Sequence, residues 1–161
     1  LIIVKKSLVP IIQKMLPHAQ AAERSTGVPA SFILGQAALE SGWGKGEIRN
    51  ADGTPSHNLF GIKATGWGGN TADVMTTEFE GGQAVRQAAR FRSYGSYTEA
   101  FSDYARMISS SPRYAATVRN AATAESFASG MQRAGYATDP QYAAKLARTI
   151  NHTLAVQRAM G

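Results

Sequence analysis

Across residues 8–26 apolar positions recur every three or four residues, the spacing of an amphipathic helix, with Pro17 in the middle and Gly27 at the end. A helix that kinks or restarts at Pro17 and stops at Gly27 is expected. Pro29 opens a second helix over residues 30–41, which ends at Gly42. On it Ile33, Ala37 and Glu40 share one face, while Phe32, Leu34, Ala38 and Leu39 fill the others. A helix apolar nearly all round belongs at the centre of a fold.

The pattern then changes. Residues 42–56 carry the Gly, Asn, Asp and Pro of a long exposed loop. NLFGIKA at 58–64 reads as a short strand, GWGGN at 66–70 as a turn and TADVMTTEFE at 71–80 as a longer strand. Glu80-Gly81-Gly82 marks a hairpin into a return strand ending near Arg92, although the alanines within 83–89 suit a helix as well. Ser96-Tyr97-Thr98-Glu99 matches a capping box before a helix over 100–109. A helix over 121–134 stops at Gly135, and Asp139-Pro140 caps a last one reaching about Ala159. The chain is therefore expected to be α+β and mainly α, a helical body with one β excursion between residues 58 and 92 and no internal repeat.

With 161 residues, 43% hydrophobic and 17% charged, the chain has the size and balance of one globular domain. Seventeen Lys and Arg against eleven Asp and Glu give a net charge of +6, which favours a polyanionic partner: nucleic acid, an anionic membrane face or a carboxylate-bearing wall polymer. The basic residues are scattered and form no stripe, so nucleic acid is not expected as a partner. Absence of cysteine removes disulfides, thiolate catalysis and cysteine-based zinc sites. No apolar run reaches the roughly 18 residues of a membrane span, so no membrane insertion is expected, and residues 1–4 are too short for a signal-peptide core. A start at Leu1 is what a fragment or processed form would show.

Within QAALESGWG at 36–44, Glu40 is an ionisable group at the end of an apolar helix. Ionised and unpaired it would cost several kcal/mol, so it is paired with a cation, snorkels at the helix end, stays protonated or lies at the rim of a cleft. A carboxyl kept protonated by apolar surroundings is a general acid, the group that glycoside hydrolysis needs together with a second carboxylate. Glu78 and Glu80, on one face of the expected hairpin, are candidates for that second group; alternation alone would make them a solvated strand face. Trp43, Phe60, Trp67 and Tyr136 lie in loops or beside glycines, where aromatic faces can stack on sugar rings or simply pack. His18, His57 and His152 have no metal-ligand spacing and read as surface or capping residues, so no metal and no cofactor are expected. Neither a G-x-S-x-G elbow nor a P-loop is present.

Four motifs in order, ILGQAALESGWG, HNLFGIKATGWGG, TTEFE and AGYATDPQYAAKL, closely resemble glycoside hydrolase family seventy-three, the bacterial cell-wall N-acetylglucosaminidases, in the form they take in flagellar proteins. The resemblance covers about residues 10–155. It implies a lysozyme-like fold, a helical lobe with a small β-hairpin lobe over a cleft, filling residues 8–161 after a linker remnant at 1–7. It implies hydrolysis of the β-1,4 bond between N-acetylglucosamine and N-acetylmuramic acid in peptidoglycan glycan strands. By the same resemblance Glu40 is the catalytic acid, Glu78 the second carboxylate with Glu80 as runner-up, and Tyr136 a residue beside the reaction centre. Asn58, Phe60 and Trp67 are carried over as substrate-binding residues.

The implied setting is the periplasm, with export through the flagellar apparatus, flagellar rod proteins as partners through an N-terminal domain not present here, and opening of the wall for the rod as the task. Direct activation of water by Glu78 would place the carboxyls about 6.5–9.5 Å apart, nucleophilic attack roughly 5–5.5 Å apart. A third route uses the substrate's own N-acetyl oxygen, stabilised by Glu78 or Tyr136. The rival readings are a lytic transglycosylase, against which Glu78 argues, and a peptidoglycan-binding scaffold with a weak site.

Overall fold

The computed structural model describes residues 6–161. Of the linker expected at residues 1–7, residues 1–5 lie outside that range, and Lys6–Leu8 form a single 3-10 turn leading into the first helix.

Helix α1, Val9–Thr26, runs through Pro17 without a break, which corrects the expected kink or restart. The proline deprives the Gln13 carbonyl of its usual donor, but both residues are exposed, so water can take the place of the missing N–H. Gly27, at φ +82°, ends the helix in the left-handed conformation that glycine adopts without a steric penalty. Helix α2, Ala30–Ser41, has the bounds the sequence predicts and buries residues on every side from Phe32 to Ala38. It packs between α1 and the last helix of the chain.

Residues 58–64 are not a strand. Only residues 62–64 follow a neighbour, through one bridge between Lys63 and Phe91 and two backbone bonds, Ala64 N–H to the Arg90 carbonyl and Arg92 N–H to the Ile62 carbonyl. The Asn58 side chain organises the rest: Oδ1 accepts from the amides of Phe60 and Ile62, and Nδ2 donates to the carbonyls of Ile62 and Arg92. A buried amide thus satisfies backbone groups that a strand ladder would otherwise pair.

Strands β1, Thr71–Glu80, and β2, Gln83–Arg92, pair antiparallel from Thr71 opposite Arg92 to Glu80 opposite Gln83. Gly81 and Gly82, at φ +56° and +82°, supply the two left-handed residues of the tight turn, whose twist matches the strands and carries residues 83–89 into a strand instead of a helix.

Helix α3, Tyr97–Ser110, starts at Ser96, whose hydroxyl accepts from the Glu99 amide. The expected reciprocal bond falls one residue earlier, from Gly95 N–H to the Glu99 carboxylate. A short helix α4, Ala115–Asn120, was not foreseen. Helix α5, Ala124–Arg133, starts three residues later than expected because Thr123 and Ser126 form a reciprocal cap. Helix α6, Tyr142–Ala159, follows an Asp139 whose carboxylate accepts from Gln141 N–H and whose carbonyl accepts from Tyr142 N–H.

In the core Phe32 of α2 stacks on Phe127 of α5 at 4.6 Å, and Phe60 of the 58–64 loop stacks on Tyr104 of α3 at 4.1 Å. Helices α2 and α6 approach closely at Gly35, where an added Cβ would lie 2.3 Å from Ile150 Cγ1 and 2.9 Å from its Cα. Backbone cannot yield as a side-chain tip can. Gly35→Ala is therefore expected to lower stability by roughly 3 kcal/mol, the overpacking cost exceeding the about 1 kcal/mol of helix propensity gained. An unchanged urea midpoint would refute this account of the helix crossing.

Candidate active site

Glu40 lies in the last turn of α2. Trp43 N–H donates to the Ala38 carbonyl at 2.8 Å, and the Ser41 hydroxyl both donates to the Ala37 carbonyl at 2.6 Å and accepts from Gly44 N–H at 2.9 Å, so the helix end is tied down on either side of the carboxyl. Gly61, at φ +64°, brings the 58–64 loop against it: a Cβ there would be 3.7 Å from Glu40 Oε2. The carboxyl has no cationic partner among the described residues. Burial first, and the charge of Glu78 second, push its pKa from 4.5 up to about 8. A helix C-terminus is also the wrong end for a negative charge.

Glu78 reaches the same cleft from β1. Its side chain is 16% exposed, pairs with Lys63 Nζ at 2.9 Å through Oε1, and accepts from the Thr138 hydroxyl at 2.8 Å through Oε2. Burial opposes its ionisation, but the bonds from Lys63 and Thr138 outweigh it and hold its pKa below the ordinary carboxylate value. Two carboxyl groups across one cleft are thus driven in opposite directions, one kept protonated and the other ionised, which is the division of labour that acid–base chemistry requires.

Tyr136, in the loop between α5 and α6, donates its hydroxyl to the Phe60 carbonyl at 2.7 Å. Its ring stands 6.1 Å from Tyr142, 5.8 Å from Tyr114 and 6.3 Å from Tyr104. Burial first, with Glu40 among the charges that add to it, raises the pKa values of Tyr104, Tyr136 and Tyr142 well above 10, so all three hydroxyls are neutral. Beneath them the buried Gln36, one turn before Glu40, accepts from the Tyr104 hydroxyl and donates to that of Tyr142. A polar residue inside an apolar helix was the available sign of this network. Sequence reasoning missed Gln36, and likewise Lys63 and Thr138, because their importance depends on partners far away in the chain.

Glu40, Glu78 and Tyr136 therefore line one open cleft of about 1200 Å³, together with Arg49, Lys63, Tyr114, Thr138 and Tyr142. The remaining candidates do not line it. Asn58 and Phe60 are buried, 1% and 0% exposed, and act from below: Asn58 holds the loop that carries Gly61 and Lys63, while the Phe60 carbonyl anchors Tyr136. Trp67 donates to the Asn70 carbonyl and lies against Tyr94 and the Arg92 guanidinium, outside the cleft. Glu80 is exposed beside the hairpin turn, so the alternation that makes Glu78 and Glu80 equivalent is broken by the cleft, which encloses only Glu78. Trp43, at φ +59°, packs its ring 5.5 Å from His152 instead of forming a cleft wall.

The histidines are half-buried, each against an aromatic ring: His18 by Phe101, His57 by Tyr97 and His152 by Trp43. Among the described residues no group of three His, Cys, Asp or Glu side chains is placed to hold a metal ion, and no helix is long and apolar enough to cross a membrane.

Comparison with known proteins places the chain among peptidoglycan hydrolases by similarity. The profile of the glucosaminidase family, described as mannosyl-glycoprotein endo-beta-N-acetylglucosaminidase, matches residues 16–154. The peptidoglycan hydrolase FlgJ of Escherichia coli K12 is 53% identical over 141 residues, covering 87% of this chain and 44% of its own length, so the chain spans less than half of that relative. A crystal structure of a peptidoglycan hydrolase mutant from Sphingomonas sp. A1 superimposes with a TM-score of 0.86 at 49% identity, covering 94% of this chain and 98% of that one. The C-terminally truncated glycoside hydrolase domain of Salmonella typhimurium FlgJ does so with a TM-score of 0.73 at 46% identity, covering 92% and 98%. The lysozyme-like, mainly helical architecture is shared with these hydrolases.

Proposed function

The chain belongs to the glucosaminidase family, and from that premise we propose that it hydrolyses the β-1,4 bond between N-acetylglucosamine and N-acetylmuramic acid in peptidoglycan glycan strands. The observation that carries this reading is the pairing of Glu40, raised to a pKa of about 8, with an ionised Glu78 in one open cleft. At neutral pH Glu40 holds the proton that the leaving glycosidic oxygen needs. An oxygen protonated as its bond breaks leaves as an alcohol, and the sugar left behind develops positive charge that the Glu78 carboxylate stabilises.

Both Glu78 oxygens are already engaged, Oε1 by Lys63 and Oε2 by Thr138. Such a carboxylate is a poor nucleophile but keeps lone pairs for a water or for the sugar's N-acetyl N–H. This supports water activation or assistance by the substrate's own acetamide over a covalent glycosyl-enzyme. Tyr136, neutral and fixed by Phe60, serves as a rigid aromatic wall beside the reacting sugar.

We further propose, from the resemblance, a role in opening the periplasmic cell wall for the flagellar rod, with rod proteins as partners; what supports it is that relatives of this chain are named peptidoglycan hydrolase FlgJ. The test is digestion of purified peptidoglycan, with the products reduced by borohydride and read by mass spectrometry. Reduced glucosamine ends are expected. Reduced muramic ends would move the cut to the other bond, anhydro-muramic ends would make the protein a lytic transglycosylase, and soluble fragments from neither bond would leave a binding scaffold.

A further inference from the structure

The tip of the hairpin is hydrogen-bonded to the loop between α5 and α6 at Thr138. Thr138, in the loop between α5 and α6, accepts from Phe79 N–H at 2.8 Å and donates to Glu78 Oε2 at 2.8 Å through the same hydroxyl. In a two-residue hairpin the residues flanking the turn, here Glu80 and Gln83, exchange both ladder bonds, so the next pair, Phe79 and Ala84, points its N–H and C=O groups away from the partner strand. The Phe79 amide is therefore free to leave the sheet, and Thr138 is what it finds. The outward amide of Thr77, two residues earlier on the same edge, has no such protein acceptor among the described residues.

The roots of the hairpin are fixed separately, by Arg92 to Asp103 at 2.8 Å and by the bond from Asn58 to the Arg92 carbonyl. Lys63, also near the root because of its bridge to Phe91, holds the other Glu78 oxygen. Removing the Thr138 hydroxyl would leave the Glu78 carboxylate held by Lys63 alone and the Phe79 amide without its acceptor.

We infer that Thr138 is a positioning residue that holds Glu78, and with it the hairpin tip, against the Glu40 side of the cleft. The two bonds of its hydroxyl work together: the backbone bond fixes where the strand lies, and the carboxylate bond fixes which way Glu78 faces. A hydroxyl donates one hydrogen and accepts on its lone pairs, so Thr138 can make both bonds only in the orientation that gives its hydrogen to the carboxylate. The ionised form of Glu78 is the better acceptor of the two, so the latch is strongest in the protonation state that the reaction uses. The charged and titratable groups around Glu78 are Lys63 on the loop beside β2, Glu40 on α2, and Asp139 next to Thr138, the last paired with Lys145. The inference rests on the proposed reaction for its effect on rate, but not for its structural half.

Thr138→Val keeps the shape and removes the hydroxyl; Thr138→Ser restores it. In the wild type, hydrogen exchange followed by NMR is expected to show the Phe79 amide protected at least tenfold relative to Thr77, with the protection lost in Thr138→Val and kept in Thr138→Ser. On peptidoglycan, Thr138→Val is expected to lower kcat by roughly tenfold with KM little changed, and to move the acidic limb of the pH profile upward as Glu78 loses a donor to its charged form. Thr138→Ser is expected to remain within about threefold of wild type with its limb in place. Equal exchange at Phe79 and Thr77 in the wild type would overturn the latch. Lost protection with unchanged kcat and pH limb would overturn the positioning role. If the wild type cleaves no glycan, the proposed reaction fails while the exchange comparison still decides the latch.

Discussion

Glu40→Gln is expected to reduce the turnover of peptidoglycan by roughly 10³-fold or more while leaving the fold intact, since general acid catalysis alone contributes about 10²–10⁴ and glutamine has no proton to give. Stability supplies a second, independent readout. The folded-state pKa of Glu40 lies above its unfolded value, so the folded protein binds a proton more tightly than the unfolded chain does. That contribution is complete below 4.5 and is lost as pH rises toward about 8, at up to about 1.4 kcal/mol per pH unit. Glutamine, isosteric with the protonated acid, cannot ionise. Measured by urea unfolding, the variant should match the wild type near pH 5 and exceed it by several kcal/mol near pH 9. An inactive variant that is more stable in base is the signature of a strained functional group. A variant that retains activity would remove Glu40 from the acid's role, and identical pH dependence of stability would show that its carboxyl is not desolvated as described.

Glu78→Gln is expected to cost about 10²–10³-fold in kcat, because the developing charge on the sugar and the attacking water both lose a fixed carboxylate. Its pH profile should change at both ends. On the proposed roles, wild-type activity should rise with ionisation of Glu78, below the ordinary carboxylate pKa, and should fall as Glu40 loses its proton near pH 8. The acidic limb should vanish in the variant. The basic limb should move to lower pH, but only in part, because burial, the larger cause of the Glu40 shift, remains. Residual activity gives the limb enough signal to be measured in single-turnover digests of a soluble glycan. A basic limb that stays in place would mean that the two carboxyls do not sense each other. Wild-type activity would shift the second role to the exposed Glu80 or to the substrate's own acetamide.

Much of the architecture was legible because it follows from local chemistry. The bounds of α2 come from Pro29 and Gly42, and those of the hairpin from alternation around Gly81-Gly82, signals that lie within a few residues of what they specify. Elements failed to appear as expected where a side chain replaced the backbone's usual partner. Asn58 took over the bonding of residues 58–64, and the exchange between Thr123 and Ser126 moved the start of α5. Pro17 misled in the opposite direction, because an exposed carbonyl can be satisfied by water.

For the site, the sequence by itself determined that a carboxyl group would end an apolar helix, that two further carboxylates would share a strand face, and, through four ordered motifs, which family the chain would resemble. Tertiary structure alone decided which of Glu78 and Glu80 lines the cleft, since strand alternation makes them equivalent and only a neighbouring wall can enclose one and leave the other in water. It also turned Asn58 and Phe60 from expected sugar contacts into buried supports, and left Trp67 on Arg92 outside the cleft. The protonation states belong to the same class. The pKa of Glu40 depends on burial and on a charge thirty-eight positions away, and that of Glu78 on Lys63 and on Thr138, sixty positions on. Electrostatic interaction falls with distance through space and not along the chain, so a pair of opposed carboxyls exists only after folding has brought them together.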